Sequence, residues 1–177
     1  HVSRKSTKIL QQLFESATEL GIRNIVIPCV DQSSIQNEKE RTRFQEVLSY
    51  LVVEAEQRKV NLALETDLEP SQFVRLLDKI NSSYVTVNYD IGNSAALGFD
   101  SNEELSTYGY RITDVHIKDR MLAGESVTLG EGNADFSKFF DKLKEFNYQG
   151  PFIMQTYRDD EGVEVFKKQL DWINKWV

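Results

Sequence analysis

Short apolar runs alternate with stretches of helical spacing along the whole chain, and that alternation restricts the fold more than any other feature of the sequence. Residues 4–20 set Ile9, Leu10, Leu13, Phe14, Ala17 and Leu20 three and four apart on one helical face, with Gly21 placed to end the helix. The run 24–30 that follows suits a strand buried on both faces. The same pair then recurs. Residues 38–58 carry Phe44, Val47, Leu48, Leu51, Val52 and Ala55 on one side and lead to a strand at 60–66. Pro70 and Ser71 open a shorter helix with Phe73, Val74, Leu76, Leu77 and Ile80, followed by a strand at 84–89. Ser101 reads as the cap of a helix with Glu103 and Glu104 in its first turn, ahead of a strand at 112–117. Asp135 reads as the cap of a helix at 136–146, with Phe139, Phe140 and Leu143 inward. Gly150 and Pro151 lead into a strand at 152–155, and a last helix from about 162 carries Val163, Phe166, Leu170, Ile173 and Val177 on one side.

Strict alternation of this kind implies a parallel sheet whose crossovers are helices. An open doubly wound sheet would concentrate its polar chemistry at one or two strands, beside a Gly-rich loop. Here polar residues end four successive strands, and they converge only if the sheet curls. The expected fold is therefore α/β, a parallel (β/α)8 TIM barrel, with 1–177 as a single domain holding strands four to eight. Roughly the first three βα units would precede His1.

The 177 residues, 40% hydrophobic and 28% charged, suffice for one domain with a sizeable core. A net charge of -7 repels phosphate backbones and anionic lipid, which argues against nucleic acid or a membrane surface as partner. No apolar stretch approaches the about 20 residues that span a bilayer. No signal peptide is visible, so the cytoplasm is the expected location. The single cysteine, Cys29, lies inside an apolar run; it cannot form an internal disulfide and reads as a small buried hydrophobe.

The chemistry gathers at the strand ends. Leu62–Asp67 ends in Glu65-Thr66-Asp67, and Thr86–Asn93 ends in Asp90-Ile91-Gly92-Asn93. His116 and Lys118 stand two apart and point to one side of their strand, ahead of Asp119 and Arg120. Phe152–Arg158 ends with Gln155 and Arg158. Barrel active sites collect at this end of the strands, and a Glu, an Asp and a His facing one cavity suit Mn²⁺, Zn²⁺, Co²⁺ or Mg²⁺. Taken singly, Glu65 could be a salt-bridged barrel residue, His116 a core histidine, and Asp90–Asn93 a plain turn. Their common order and phase favour a site. Lys118, Arg120 and Arg158 supply cations at the same mouth for a phosphorylated substrate, unless they pair with Asp119, Asp159 or Asp160 on the rim. The segment 124–132 reads as a flexible loop or a plain connector.

Four stretches carry a resemblance: Asp90-Ile91-Gly92-Asn93, Asp114-Val115-His116-Ile117-Lys118-Asp119, Leu129-Gly130-Glu131-Gly132-Asn133-Ala134-Asp135-Phe136 and Gly150-Pro151-Phe152-Ile153. Along essentially its whole length the chain resembles the xylose-isomerase-like barrel superfamily. Within it, the chain is most similar to sugar-phosphate isomerases and epimerases of the L-ribulose (L-xylulose) 5-phosphate 3-epimerase and hexulose-phosphate isomerase type. The resemblance implies a metal-dependent isomerase or epimerase working through an enediolate. Its divalent ion would be held by Glu65, Asp90, His116 and Gln155, with Glu65 as catalytic base and Asn93 touching a substrate hydroxyl. Lys118, Arg120 and Arg158 would bind the substrate, a sugar or sugar phosphate.

Gln155 departs from the pattern, which has a glutamate there. An amide can lend a carbonyl oxygen to a metal but accepts no substrate proton at neutral pH. Epimerisation at one carbon needs proton removal and delivery on opposite faces, whereas a 1,2-isomerisation can use one base. The loss therefore shifts weight toward a one-base aldose–ketose isomerase, or toward a non-catalytic sugar-binding barrel. The superfamily's metal-dependent endonucleases need more ligands and a basic face, against two histidines and net charge -7 here. Assembly into a homo-oligomer is left open.

Overall fold

Parallel strands and crossover helices alternate as the spacing requires. The computed structural model describes residues 4–158, 160 and 162–177, so His1 and Asp159 lie outside the described residues. The chain divides into two units, His1–Asn88 and Tyr89–Val177, with the division inside a strand.

In the first unit, helix α1 (Arg4–Leu20) leads to β1 (Asn24–Cys29), α2 (Glu38–Arg58), β2 (Asn61–Thr66), α3 (Pro70–Ile80) and most of β3 (Val85–Asp90). β1 pairs parallel with β2, Ile27 opposite Leu64, and β2 pairs parallel with β3, Leu64 opposite Val87. Leu62, Ala63 and Leu64 are buried with Leu51, Val52 and Ala55 of α2 and Phe73, Leu76 and Leu77 of α3. Such two-sided burial accounts for strands that read as apolar runs with no polar alternation. α2 begins where Asn37 accepts the Glu40 N–H (3.0 Å), and α3 begins on Pro70, whose missing N–H costs nothing at a first helical position. The apolar face expected of α1 is only partly covered. Phe14 and Ala17 are buried, whereas Ile9, Leu13 and Leu20 are exposed. Spacing marks an apolar face; it does not say which part of that face meets a neighbour.

The second unit continues from the end of β3 through α4 (Ile91–Leu97), α5 (Ser101–Tyr108), β4 (Ile112–Ile117), the short strands β5 (Asp119–Arg120) and β6 (Ser126–Val127), α6 (Phe136–Lys144), β7 (Phe152–Met154) and α7 (Val163–Ile173). β4 and β7 pair parallel, His116 opposite Ile153. Phe139, Phe140 and Leu143 of α6 are buried as the spacing predicts, and Asp135 caps that helix through the Lys138 N–H (3.0 Å). Phe136, Phe140, Trp172 and Trp176 pack ring against ring, stacked on Trp176 from α6 and edge-on at Trp172, and so join α6 to α7, while Val163, Phe166 and Leu170 of α7 remain exposed.

One local expectation changes, and two alternatives left open are decided. Asp90–Asn93 is no plain turn: Asp90 caps α4, a helix absent from the sequence reading because its apolar residues span barely two turns. The cap of α5 is Asp100, one residue before Ser101; Asp100 has extended backbone and accepts the N–H groups of Asn102 and Glu103 (2.8 and 3.2 Å). The segment 124–132 is no free loop either, since β5 and β6 pair antiparallel, Arg120 opposite Ser126.

Candidate functional site

In the first unit, Glu65 emerges near the end of β2 as a buried carboxylate. Its Oε2 accepts a hydrogen bond from the buried Asn88 side-chain amide of β3 (2.8 Å). An ionised group without such a donor would carry a large desolvation cost. Asn88 was not picked out from the sequence, although it shares a strand face with Asp90, two residues on. Beyond Glu65 the chain turns sharply: the Thr66 hydroxyl accepts the Leu68 N–H (3.1 Å), and the Ser34 hydroxyl bonds the Asp67 carboxylate.

Cys29, buried as expected, is paired across the strands with Thr66. Burial, helped by the charges of Asp67 and Glu65, pushes its thiol up to about 12 from 9.0. Iodoacetamide at pH 8 is therefore expected to leave Cys29 unmodified in the native protein and to label it in urea, as mass spectrometry would show. Because the folded thiol holds its proton longer than the unfolded one, this group's contribution to stability is complete below pH 9 and falls as pH rises toward 12.

In the second unit, three strand-end residues meet. Asp90 uses Oδ1 to accept the Asn93 N–H (2.8 Å). Its other oxygen, Oδ2, lies 3.8 Å from His116 Nδ1 and 3.8 Å from Lys118 Nζ, too far for hydrogen bonds, and is buried without a hydrogen-bond partner among the described residues. Asn93 Oδ1 accepts from Arg120 Nη1 (2.9 Å) and from Lys118 Nζ (3.3 Å). Two cations thus converge on one neutral oxygen. Gly92 lets this happen, because a Cβ there would stand 2.8 Å from Lys118 Cγ. Gln155 and Arg158 differ from this group. Both are exposed, and Gln155 reaches the strand ladder through its backbone N–H, which donates to Ile117 O (3.0 Å).

Asp119 does not neutralise a rim cation, the role weighed for it from sequence. Fully buried, it accepts three backbone N–H groups, from Gly130 (2.9 Å), Gly132 (3.0 Å) and Ala134 (3.1 Å). The Leu-Gly-Glu-Gly motif wraps this carboxylate. Gly130 has φ +88, and a Cβ on Gly132 would sit 2.2 Å from Asp119 Oδ1. Arg120 closes the preceding hairpin through Nε and Nη2 on Gly124 O (3.0 and 2.8 Å), so the hairpin holds in place the guanidinium that reaches Asn93.

Many barrel families share a parallel strand-helix alternation with polar chemistry at the strand ends, and one of them matches this chain. The xylose isomerase-like TIM barrel family matches residues 1–176. The chain belongs to this family. SgbU of Haemophilus influenzae is 30% identical over 187 residues, covering 97% of the chain and 65% of the relative. UlaE of Escherichia coli, an L-ribulose-5-phosphate 3-epimerase, is 29% identical over 182 residues, covering 97% of the chain and 64% of the relative. The chain thus spans just under two thirds of the length of these relatives. Among solved structures, the IolI protein with a bound zinc atom superposes with a TM-score of 0.82 at 20% identity, over 100% of the chain and 73% of that protein. The expected barrel class therefore holds, with the chain covering part of the barrel. No helix among the described residues is long and apolar enough to cross a membrane.

Proposed function

We propose that this chain is the greater part of a metal-dependent sugar-phosphate isomerase or epimerase, with 1–177 forming one barrel domain. Glu65, Asp90 and His116 would hold a divalent ion; Gln155, exposed just past β7, would add a carbonyl oxygen, and Glu65 would move the substrate proton. Asp90 Oδ2 is the observation that carries this reading. A buried carboxylate oxygen without a hydrogen bond is costly; the Lys118 ammonium at 3.8 Å offsets part of that cost, and a directly bound cation would offset more. His116 Nδ1 at 3.8 Å suits a shared ion, because two ligands each about 2.0–2.2 Å from one metal stand about 3–4 Å apart.

Bound there, the ion would act as a Lewis acid on the substrate carbonyl and lower the cost of removing the neighbouring proton. Glu65, oriented by Asn88, takes that proton as general base. Lys118 and Arg120 favour an anionic end on the substrate, since the oxygen they now share is uncharged and a phosphate oxygen would bind both more strongly. The name of UlaE supports the same substrate class. Gln155 supports the one-base 1,2-isomerisation over the two-base epimerisation, because it accepts no proton. A cytoplasmic location fits a phosphorylated sugar.

The test is proton exchange in D₂O, followed by NMR with pentulose and pentose phosphates, before and after chelation. Exchange should stop when the metal is stripped and return with Mn²⁺, Zn²⁺, Co²⁺ or Mg²⁺. Protein that takes up no metal and exchanges no proton would be a sugar-binding barrel, and the enzymatic reading would fail. If the native enzyme inverts a carbon without 1,2-isomerisation, the one-base assignment fails alone.

A further inference from the structure

Glu104 is a buried ionisable group that the proposed chemistry does not use. It lies on α5, and three hydroxyls donate to it: Tyr89 to Oε2 (2.6 Å), Tyr108 to Oε1 (2.7 Å) and Ser94 to Oε2. Burial raises its pKa against the pull of those donors. An apolar side chain would fill the same space without burying a carboxyl group, so tight packing alone does not account for a glutamate here.

The positions of the donors are informative. Tyr89 immediately precedes Asp90, and its ring stacks on Phe139 (5.0 Å between centroids, 12° between planes). Ser94 follows Asp90 by four residues, on α4. The two hydroxyl oxygens stand 3.1 Å apart, both turned to the same carboxylate oxygen. One carboxylate therefore grips the chain on both sides of Asp90, at the junction where Asp90 Oδ1 holds the Asn93 N–H and Oδ2 has no hydrogen bond among the described residues. Tyr108 is different, because it belongs to the same helix as Glu104 and lies outside the segment 89–94.

We infer that Glu104 is a positioning residue: acting through Tyr89 and Ser94, it sets the direction of the Asp90 carboxylate and hence the affinity of the site for its divalent ion. The inference rests on the metal-site reading given above.

Three single-hydroxyl deletions separate positioning from mere stability. Tyr89→Phe, Ser94→Ala and Tyr108→Phe each remove one donor from the same carboxylate, and each should lower Tm by about 2–4 °C. Titration of the apo-protein with Mn²⁺ or Zn²⁺ alone should show Tyr89→Phe and Ser94→Ala binding about tenfold more weakly than wild type. Tyr108→Phe should stay within about twofold of wild type. A second readout needs no metal: hydrogen exchange at the Asn93 N–H should quicken in Tyr89→Phe and Ser94→Ala and stay unchanged in Tyr108→Phe. Metal affinity that falls equally in all three variants would overturn the inference, as would unaltered Asn93 exchange in Tyr89→Phe and Ser94→Ala. Wild type that binds no metal would remove the underlying reading, while the Asn93 exchange pattern would still decide whether Glu104 positions the junction.

Discussion

Glu65→Gln is expected to lower kcat by about 10²–10⁴-fold, the usual contribution of a positioned general base. The substitution keeps the size of the side chain and leaves a carbonyl oxygen to accept the Asn88 amide hydrogen now bonded to Glu65 Oε2. It removes the capacity to hold a proton. Substrate binding should persist, so KM should change far less than kcat, and exchange of the substrate proton with D₂O should be lost in step with turnover. Single-turnover kinetics with deuterated sugar phosphate would measure both. If the variant kept turnover within about threefold of wild type, Glu65 would be a structural carboxylate and the base would lie elsewhere.

Asp119→Ala is expected to destabilise the protein by about 2–4 kcal/mol, measured by urea unfolding. The carboxylate is fully buried, and its removal strands three backbone N–H groups at about 1–3 kcal/mol each, less what water recovers at the partly exposed loop. Asp119→Asn should cost less, because one acceptor oxygen remains. Gly132→Ala should approach the alanine variant, since its Cβ would drive the carboxylate away from 2.2 Å. Loosening this loop also frees the hairpin that carries Arg120, so KM for a phosphorylated sugar should rise more than KM for the unphosphorylated one. A loss under about 0.5 kcal/mol would mean that the segment is a free loop and that the Asp119 contacts do not hold it.

That segment shows where sequence reasoning stops. Glycines at 124, 130 and 132 fit a flexible loop or a plain connector alike, and the structure uses two of them for confinement, to let backbone N–H groups close on Asp119. Nothing in local spacing distinguishes these uses, because the deciding contact spans eleven to fifteen residues. Similarly, Asn88 and Glu104 read as ordinary polar residues, one in a strand and one in a helix. Their partners, Glu65 and the hydroxyls of Tyr89, Ser94 and Tyr108, lie four to twenty-three residues away. The end helices also differ from their patterns, as α1 and α7 leave much of their apolar faces exposed.

The sequence by itself determined the alternation of strand and helix, the barrel class, and the placement of Glu65, Asp90 and His116 at strand ends. The helices follow from a period of 3.6 residues, the strands from short apolar runs, and the barrel from polar residues at four successive strand ends, all of which local order encodes. Only the tertiary structure decided which oxygen of Asp90 lacks a hydrogen bond, which cations converge on Asn93, and which buried polar groups bond Glu65 and the residues beside Asp90. Those outcomes depend on hydrogen bonds and burial between residues distant in the chain, and neither quantity has a local signature.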